Sequence, residues 1–87
     1  MSFRVEFTRQ AEEDILRLDK SVAQLIVNKI DRLSQSTEKI VPTPLKGKFK
    51  GKYKLRAGDW RIIYSIENSV QVITVYAVRH RREVYKI

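Results

Sequence analysis

Apolar residues in the first part of the chain recur first at every second position and then at helical spacing. Residues 3–7 alternate apolar and polar side chains, which predicts a half-buried strand. Two helical stripes follow, the first with Thr8 as its cap and the second with Asp19 or Ser21. Few residues separate them, so we expect an antiparallel helical hairpin. The stripes comprise Ala11, Ile15 and Leu18, then Val22, Leu25, Ile26, Ile30 and Leu33.

The second half of the chain predicts three further strands. They lie near residues 50–57, 60–67 and 70–78, where β-branched and aromatic residues are frequent. Tight turns at residues 58–59 and 68–69 separate them, and such short links make the three strands antiparallel neighbours.

The predicted order of elements is therefore β-α-α-β-β-β. Pro42 and Pro44 keep the segment after the second helix out of regular structure. This order indicates an α+β fold in which one antiparallel-rich sheet packs against a helical hairpin. Eighty-seven residues suit one small core, so we expect residues 1–87 to form a single domain.

A two-residue loop at residues 58–59 determines how the flanking strands pair. Arg56 then lies opposite Arg61, and Lys54 lies opposite Ile63. Cross-strand partners share one face of a sheet. Tyr53, Leu55, Ile62 and Tyr64 then form a core face, whereas Lys52, Lys54, Arg56 and Arg61 form a basic patch on the opposite face.

Positive charge is concentrated in the second half of the chain. The net charge is +8; residues 1–40 hold seven basic and seven acidic side chains, whereas residues 41–87 hold eleven basic and three acidic ones. Every second residue from Lys46 to Arg56 is a cation, and this is the side-chain period of an extended strand. The array favours a polyanionic partner such as a phosphate backbone, although lysines on an edge strand also prevent aggregation.

Other features of the composition exclude several classes of site. Without cysteine the chain has neither disulfides nor thiolate metal sites. One histidine and no acidic cluster leave little to bind a metal, so we expect no metal or other cofactor. We see neither a signal peptide nor an apolar run of membrane length, and expect a cytoplasmic protein without membrane contact.

Catalysis on RNA would make specific demands on the basic patch. Cleavage requires a base for the ribose 2′-hydroxyl, stabilisation of the phosphate and an acid for the leaving 5′-oxygen. The usual pair of carboxylates or histidines is absent, and His80 is the single imidazole. A lysine crowded by cations can act as a base. Charge clustering alone indicates a binding surface rather than an enzyme.

Three segments carry a more specific pattern: residues 52–56, residues 60–64 and the closing residues 80–85. Together with the order of elements, they resemble the RelE branch of the RelE/ParE toxin superfamily over nearly the whole chain. The resemblance implies a toxin of a bacterial or archaeal type II toxin–antitoxin pair. It further implies a metal-independent endoribonuclease that enters the ribosomal A site and cuts mRNA by 2′-hydroxyl attack, leaving a 2′,3′-cyclic phosphate.

The resemblance assigns catalytic roles to five residues. Lys52 and Lys54 would lie near the 2′-hydroxyl and polarise it or take its proton. Arg61 would stabilise charge on the scissile phosphate. Arg81 would be the acid or a second group that binds the phosphate, and Tyr85 would stack on the substrate base.

The remaining cations are expected to contact RNA or the ribosome. Because the spacing before Tyr85 is tighter than in the best-known members, Arg79 or Arg82 is an alternative to Arg81. His80 matches a subset of related toxins in which a histidine pairs with a glutamate base, which this chain lacks. The expected contacts are Lys46, Lys48, Lys50, Arg56, Arg79, His80 and Arg82.

The resemblance also implies partners and leaves alternatives open. The partners are the ribosome, mRNA and a cognate RelB-like antitoxin, for which charge complementarity favours an acidic chain. One alternative is a ParE-like, non-enzymatic inhibitor of DNA gyrase on the same fold, although that branch generally lacks the full Lys/Arg/Tyr set. Another is a basic RNA-binding module without toxicity.

Overall fold

The computed structural model describes residues 3–37 and 40–84, which form one sheet and three helices. None of these helices is long and apolar enough to cross a bilayer. In chain order the elements are β1 (Arg4–Phe7), α1 (Arg9–Leu16), α2 (Lys20–Gln35), β2 (Thr43–Pro44), β3 (Tyr53–Ala57), β4 (Trp60–Glu67), β5 (Val72–His80) and α3 (Arg81–Val84).

The five strands lie in the order β1-β5-β4-β3-β2. β1 runs parallel to β5, and every other pair is antiparallel. The predicted α+β fold with an antiparallel-rich sheet is confirmed. The structure adds the edge strand β2 and the short helix α3.

Both long helices begin at the residues that the sequence favours. Thr8 Oγ1 accepts a hydrogen bond from the Ala11 N–H at 3.2 Å, and Asp19 Oδ1 accepts one from the Val22 N–H at 3.0 Å. Of the two candidate caps for α2, Asp19 is therefore the cap, and Ser21 donates its hydroxyl to it. The bond from Val22, followed by that from Ser21, lowers the pKa of Asp19 below its ordinary value.

The helical hairpin covers one face of the sheet. Apolar side chains from α1 and α2 pack there against β3, β4 and β5. Burial of each valine, leucine or isoleucine side chain contributes about 1.5–3 kcal/mol. One cluster contains Ala11, Ile26, Ile30, Ala57, Ile62, Val75 and Val78, and a second contains Leu33, Tyr64 and Ile73.

The lysine alternation is only partly a strand, which corrects the prediction for residues 50–57. Gly47 and Gly51 have φ values of 68° and 89°, so the chain turns at both positions. A single 3₁₀ turn, Gly47–Phe49, separates Lys46 from β3. Strand pairing with β4 begins at Tyr53.

The prediction that the two prolines keep their segment out of regular structure is wrong for Pro44, whereas Pro42 lies outside any helix or strand. Thr43 and Pro44 pair with Lys54 and Tyr53 and form the edge strand β2. Proline is tolerated at an edge because its missing N–H removes no hydrogen bond from the sheet interior.

The loop before β5 is longer than predicted. Residues 68–71 form the turn instead of residues 68–69, and Gln71 adopts a φ of 54°. Strand β5 accordingly spans residues 72–80 instead of 70–78. The pairing of β4 with β5 shifts by one residue between Ile63 and Tyr64, so β5 carries a bulge there.

Candidate nucleic-acid interface

Basic side chains gather on the sheet face opposite α1 and α2. The register aligns Arg56, Arg61 and Arg79 in one row across β3, β4 and β5. Lys54, Ile63 and Ala77 form the next row. We call this surface the basic face; it comprises Lys52, Lys54, Arg56, Arg61, Ile63, Ser65, Tyr76, Ala77 and Arg79.

The turn at Gly58 and Asp59 produces this separation of faces. Gly58 has a φ of 61°, which suits the first central position of a two-residue hairpin loop. The predicted register is confirmed, with Arg56 opposite Arg61, Leu55 opposite Ile62, Lys54 opposite Ile63 and Tyr53 opposite Tyr64.

Arg61 is held by the backbone of this turn. The residue is only 6% exposed, and its Nη1 donates to the carbonyl oxygens of Gly58 and Trp60, each at 2.9 Å. A guanidinium also carries donors on Nε and Nη2, but the burial of Arg61 leaves only a small part of the residue within reach of a phosphate. The sequence placed Arg61 on the correct face but did not reveal its contacts with the turn.

Arg79 is held from the edge of the sheet by Asp14. Its Nη1 lies 3.3 Å from Asp14 Oδ1, to which Gln10 also donates at 2.8 Å. Asp14 Oδ2 accepts the Val78 N–H at 2.9 Å. Because β1 pairs with β5 only as far as Val75, the buried carboxylate satisfies a backbone donor beyond the end of β1.

Lys52 and Lys54 lie at the start of β3 on the same face as Arg61. Lys52 Nζ is 4.6 Å from the centroid of the Tyr76 ring, and Ser65 Oγ donates to the Tyr76 hydroxyl at 3.2 Å. Lys54 is half-buried. The sequence analysis missed Tyr76 and Ser65.

The C-terminal candidates lie around the end of β5. The Arg81 N–H donates to the Asp59 carbonyl at 2.8 Å, and Arg81 Nε lies 3.8 Å from Asp59 Oδ1. Both are contacts to the turn that also holds Arg61. The Arg81 and Arg82 residues are exposed.

His80 does not join the basic face. It pairs across the sheet with Trp60 and meets its ring edge-on, with centroids 5.3 Å apart. Trp60 packs against the core below the helices, so His80 faces that side. His80 Nδ1 accepts the Arg82 N–H at 3.3 Å. His80 therefore lies on the other face of the sheet, and its expected contact with RNA or the ribosome stays a prediction.

Three other predicted residues, all lysines, stand apart from the two rows. Lys46, Lys48 and Lys50 are exposed in the connection before β3, which contains the 3₁₀ turn Gly47–Phe49. Tyr85, the predicted stacking residue, lies outside the described residues.

The arrangement is chemically suited to a phosphodiester. Arginines bind phosphate oxygens bidentately, and lysines supply compact point charges. Arg61 and Arg79 are both braced by the protein, which lowers the entropy lost when an anion binds.

Comparison with known sequences agrees with this geometry. A family model described as the ParE toxin of the type II toxin–antitoxin system, parDE, matches residues 5–85. Toxin RelG of Mycobacterium tuberculosis is 26% identical over 87 residues, which cover 99% of both chains. A protein of Escherichia coli described as RelE-like is 31% identical over 90 residues, covering 100% of this chain and 94% of the relative.

Solved structures show the same fold. A chain in the RelBE2 toxin–antitoxin complex of Mycobacterium tuberculosis superposes with a TM-score of 0.82 at 26% identity, covering 93% of each chain. A chain in the archaeal RelE–RelB complex of Pyrococcus horikoshii OT3 gives a TM-score of 0.73 at 26% identity, covering 93% of this chain and 97% of that one.

Proposed function

The chain belongs to the RelE/ParE superfamily of toxins from type II toxin–antitoxin systems, and from this premise we propose that it is a ribosome-dependent, metal-independent endoribonuclease that cleaves mRNA in the A site. The observation that carries the proposal is the row of Arg56, Arg61 and Arg79 beside Lys54 on one face of the sheet. A gyrase inhibitor that performs no chemistry does not require such a row.

The proposed reaction divides three tasks among these side chains. The ribose 2′-oxygen attacks phosphorus, and its proton is taken or polarised by Lys52 or Lys54. Arg61 stabilises the negative charge that develops on the phosphate oxygens. The phosphorus–O5′ bond then breaks, with Arg81, or Arg79 or Arg82 in its place, supplying the proton to O5′, and Tyr85 stacks on the base.

The shape of the basic face supports dependence on the ribosome. The face is the surface of a sheet, whereas cavities of about 490 and 480 Å³ lie on the helix side, lined by residues such as Lys29, Leu55 and Ile66. The surface of a sheet orients a flexible RNA poorly. A ribosome that presents the strand in a fixed conformation would supply the missing positioning.

We further expect an antitoxin as the cellular partner. The complexes of RelBE2 and of archaeal RelE with RelB each contain an antitoxin bound to the toxin chain. By extension, a RelB-like chain with acidic residues would neutralise the basic face and block access to RNA.

Primer extension on a translated mRNA tests the proposal. Induction of the wild-type chain is expected to produce discrete cuts, which Arg61→Ala removes. Purified ribosomes with bound mRNA, compared with the same RNA alone, test the ribosome requirement. Thermal unfolding of Arg61→Ala is the control, because this arginine also braces a turn.

Other results of these experiments would support one of the two alternative functions. Arrest of replication with intact mRNA would indicate a ParE-like gyrase inhibitor, the reading that the name of the matching family model favours. Harmless overexpression with salt-sensitive RNA binding would indicate a binding module. Cuts that survive loss of Arg61 in a folded protein would contradict the assigned mechanism.

A further inference from the structure

The bulge in β5 places an additional aromatic ring on the basic face. Tyr64 pairs with Val75 and Ile63 pairs with Ala77, so Tyr76 has no partner in the β4–β5 ladder. Val75 belongs to the core cluster under the helices. A bulge of this kind re-aims one side chain without interrupting the rest of the strand.

Tyr76 is fixed at its backbone and at its hydroxyl. Its carbonyl accepts a hydrogen bond from Thr8 Oγ1 at 3.0 Å, at the edge where α1 begins. Its hydroxyl accepts one from Ser65 Oγ at 3.2 Å, on the neighbouring strand. The ring is therefore held in place by two other parts of the fold.

Lys52 needs such a fixed partner. It directly precedes β3 and follows Gly51, whose φ of 89° places it in a turn. A lysine side chain has four rotatable carbons, so an ammonium at this position samples many arrangements. The Tyr76 ring, 4.6 Å from Lys52 Nζ, attracts the ammonium through its negative π face.

We propose that Tyr76 is a positioning residue for Lys52, holding its amino group at a defined point of the basic face. This inference rests on the proposed function, in the form in which Lys52 polarises the ribose 2′-hydroxyl as an ammonium, because the contact with the ring favours the protonated amine. A lysine that is already ordered loses less entropy on reaching the transition state. Tyr76 therefore affects the chemical step more than the affinity for RNA.

A spectroscopic measurement tests the contact independently of any activity. Protons held over an aromatic ring are shifted upfield, so the ε-methylene signal of Lys52 is expected upfield of other lysines in ¹³C-lysine-labelled protein. The signal is assigned by its loss in Lys52→Arg. Tyr76→Phe keeps the ring and retains the shift, whereas Tyr76→Leu abolishes it.

Kinetics on ribosome-bound mRNA test the role. Tyr76→Leu is expected to lower kcat on the order of tenfold with KM unchanged, the size that a partly desolvated cation–π contact supports. Tyr76→Phe is expected to restore kcat. In a Lys52→Met background, Tyr76→Leu should cause no further loss, because residues that act together are not additive.

Three results would overturn the inference. One is an unchanged kcat in Tyr76→Leu despite loss of the upfield shift. Another is a rise in KM alone, which would mean that Tyr76 stacks on RNA directly. The third is a wild-type protein that leaves ribosome-bound mRNA intact; this result overturns the proposed function as well and is recognised without any variant. Thermal unfolding of both Tyr76 variants verifies that they fold.

Discussion

The two faces of the sheet bury similar residues in different surroundings. Ile62 and Ile63 are adjacent in β4, and both are fully buried. Ile62 packs in the cluster formed with the helices. Ile63 shares its face with Lys54 and Arg61. Long cationic side chains cover apolar surface with their stems, so the basic face combines partial burial with a surface for anions.

Truncation of the two isoleucines gives the largest expected difference between the faces. Ile62→Ala is expected to lower the free energy of unfolding by about 2–5 kcal/mol, because the helices packed on Ile62 cannot move in to fill the cavity that the truncation leaves. Ile63→Ala is expected to fall at the lower end of this range, about 2 kcal/mol, since the stem of a lysine such as Lys54 moves into the space more easily. Urea unfolding measures both, and equal losses would show that the two faces are equally rigid.

The core face contains one polar defect, which Tyr64→Phe removes. The Tyr64 hydroxyl is buried, and no hydrogen-bond partner for it lies within residues 3–37 and 40–84. We expect Tyr64→Phe to raise the free energy of unfolding by about 1 kcal/mol, because the hydroxyl loses its water on burial without compensation. Urea unfolding is the measurement, with the half-buried Tyr53→Phe as the matched control.

The same variant has a pH signature. Burial, and to a smaller extent Tyr53, raises the pKa of Tyr64. The contribution of Tyr64 to the free energy of unfolding is therefore fully present below the pKa of tyrosine in the unfolded chain, about 10. It is lost as the pH rises through the higher pKa of the folded protein. Tyr64→Phe should flatten that alkaline loss, and an unchanged slope would contradict the assignment.

Removal of a cation from the basic face is expected to have the smallest effect. Arg56→Gln relieves repulsion within the row of arginines, so stability should rise by about 0.2–0.5 kcal/mol at low salt and return to the wild-type value in about 1 M salt. Arg9→Gln is the control, because Arg9 pairs with Glu13 at 3.5 Å on α1 and its loss should slightly destabilise. If both variants changed the free energy of unfolding in the same direction, the result would argue against charge repulsion on the basic face.

The register of β3 with β4 follows from the sequence because loop length and alternation agree. A two-residue loop between Ala57 and Trp60 separates the apolar from the basic side chains, and the structure has this pairing. The helix caps were predictable for a similar reason, since Thr8 and Asp19 stand directly before apolar stripes.

Other parts of the site depend on backbone turns, a bulge and side-chain contacts that the alternation of residues alone does not reveal. Lysines at every second position read as a strand, but Gly47 and Gly51 turn the chain. The bulge that exposes Tyr76 is visible only in the register of the structure, where Thr74 and Arg79 are five residues apart and yet share a face with Ser65 and Arg61. An odd separation requires one additional residue between them. The contacts that fix Arg61 and Arg79 form only after folding.

The turn at Gly58 and Asp59 connects two separated parts of the chain. The Gly58 carbonyl accepts a hydrogen bond from the Arg61 side chain, and the Asp59 carbonyl accepts one from the N–H of Arg81, the first residue of α3. A single inserted residue there would reverse the alternation of β3 against β4 and displace both arginines together. Among homologous chains we therefore expect gaps and insertions to accumulate between α2 and β3, while the length of this hairpin loop stays constant even where its residues change.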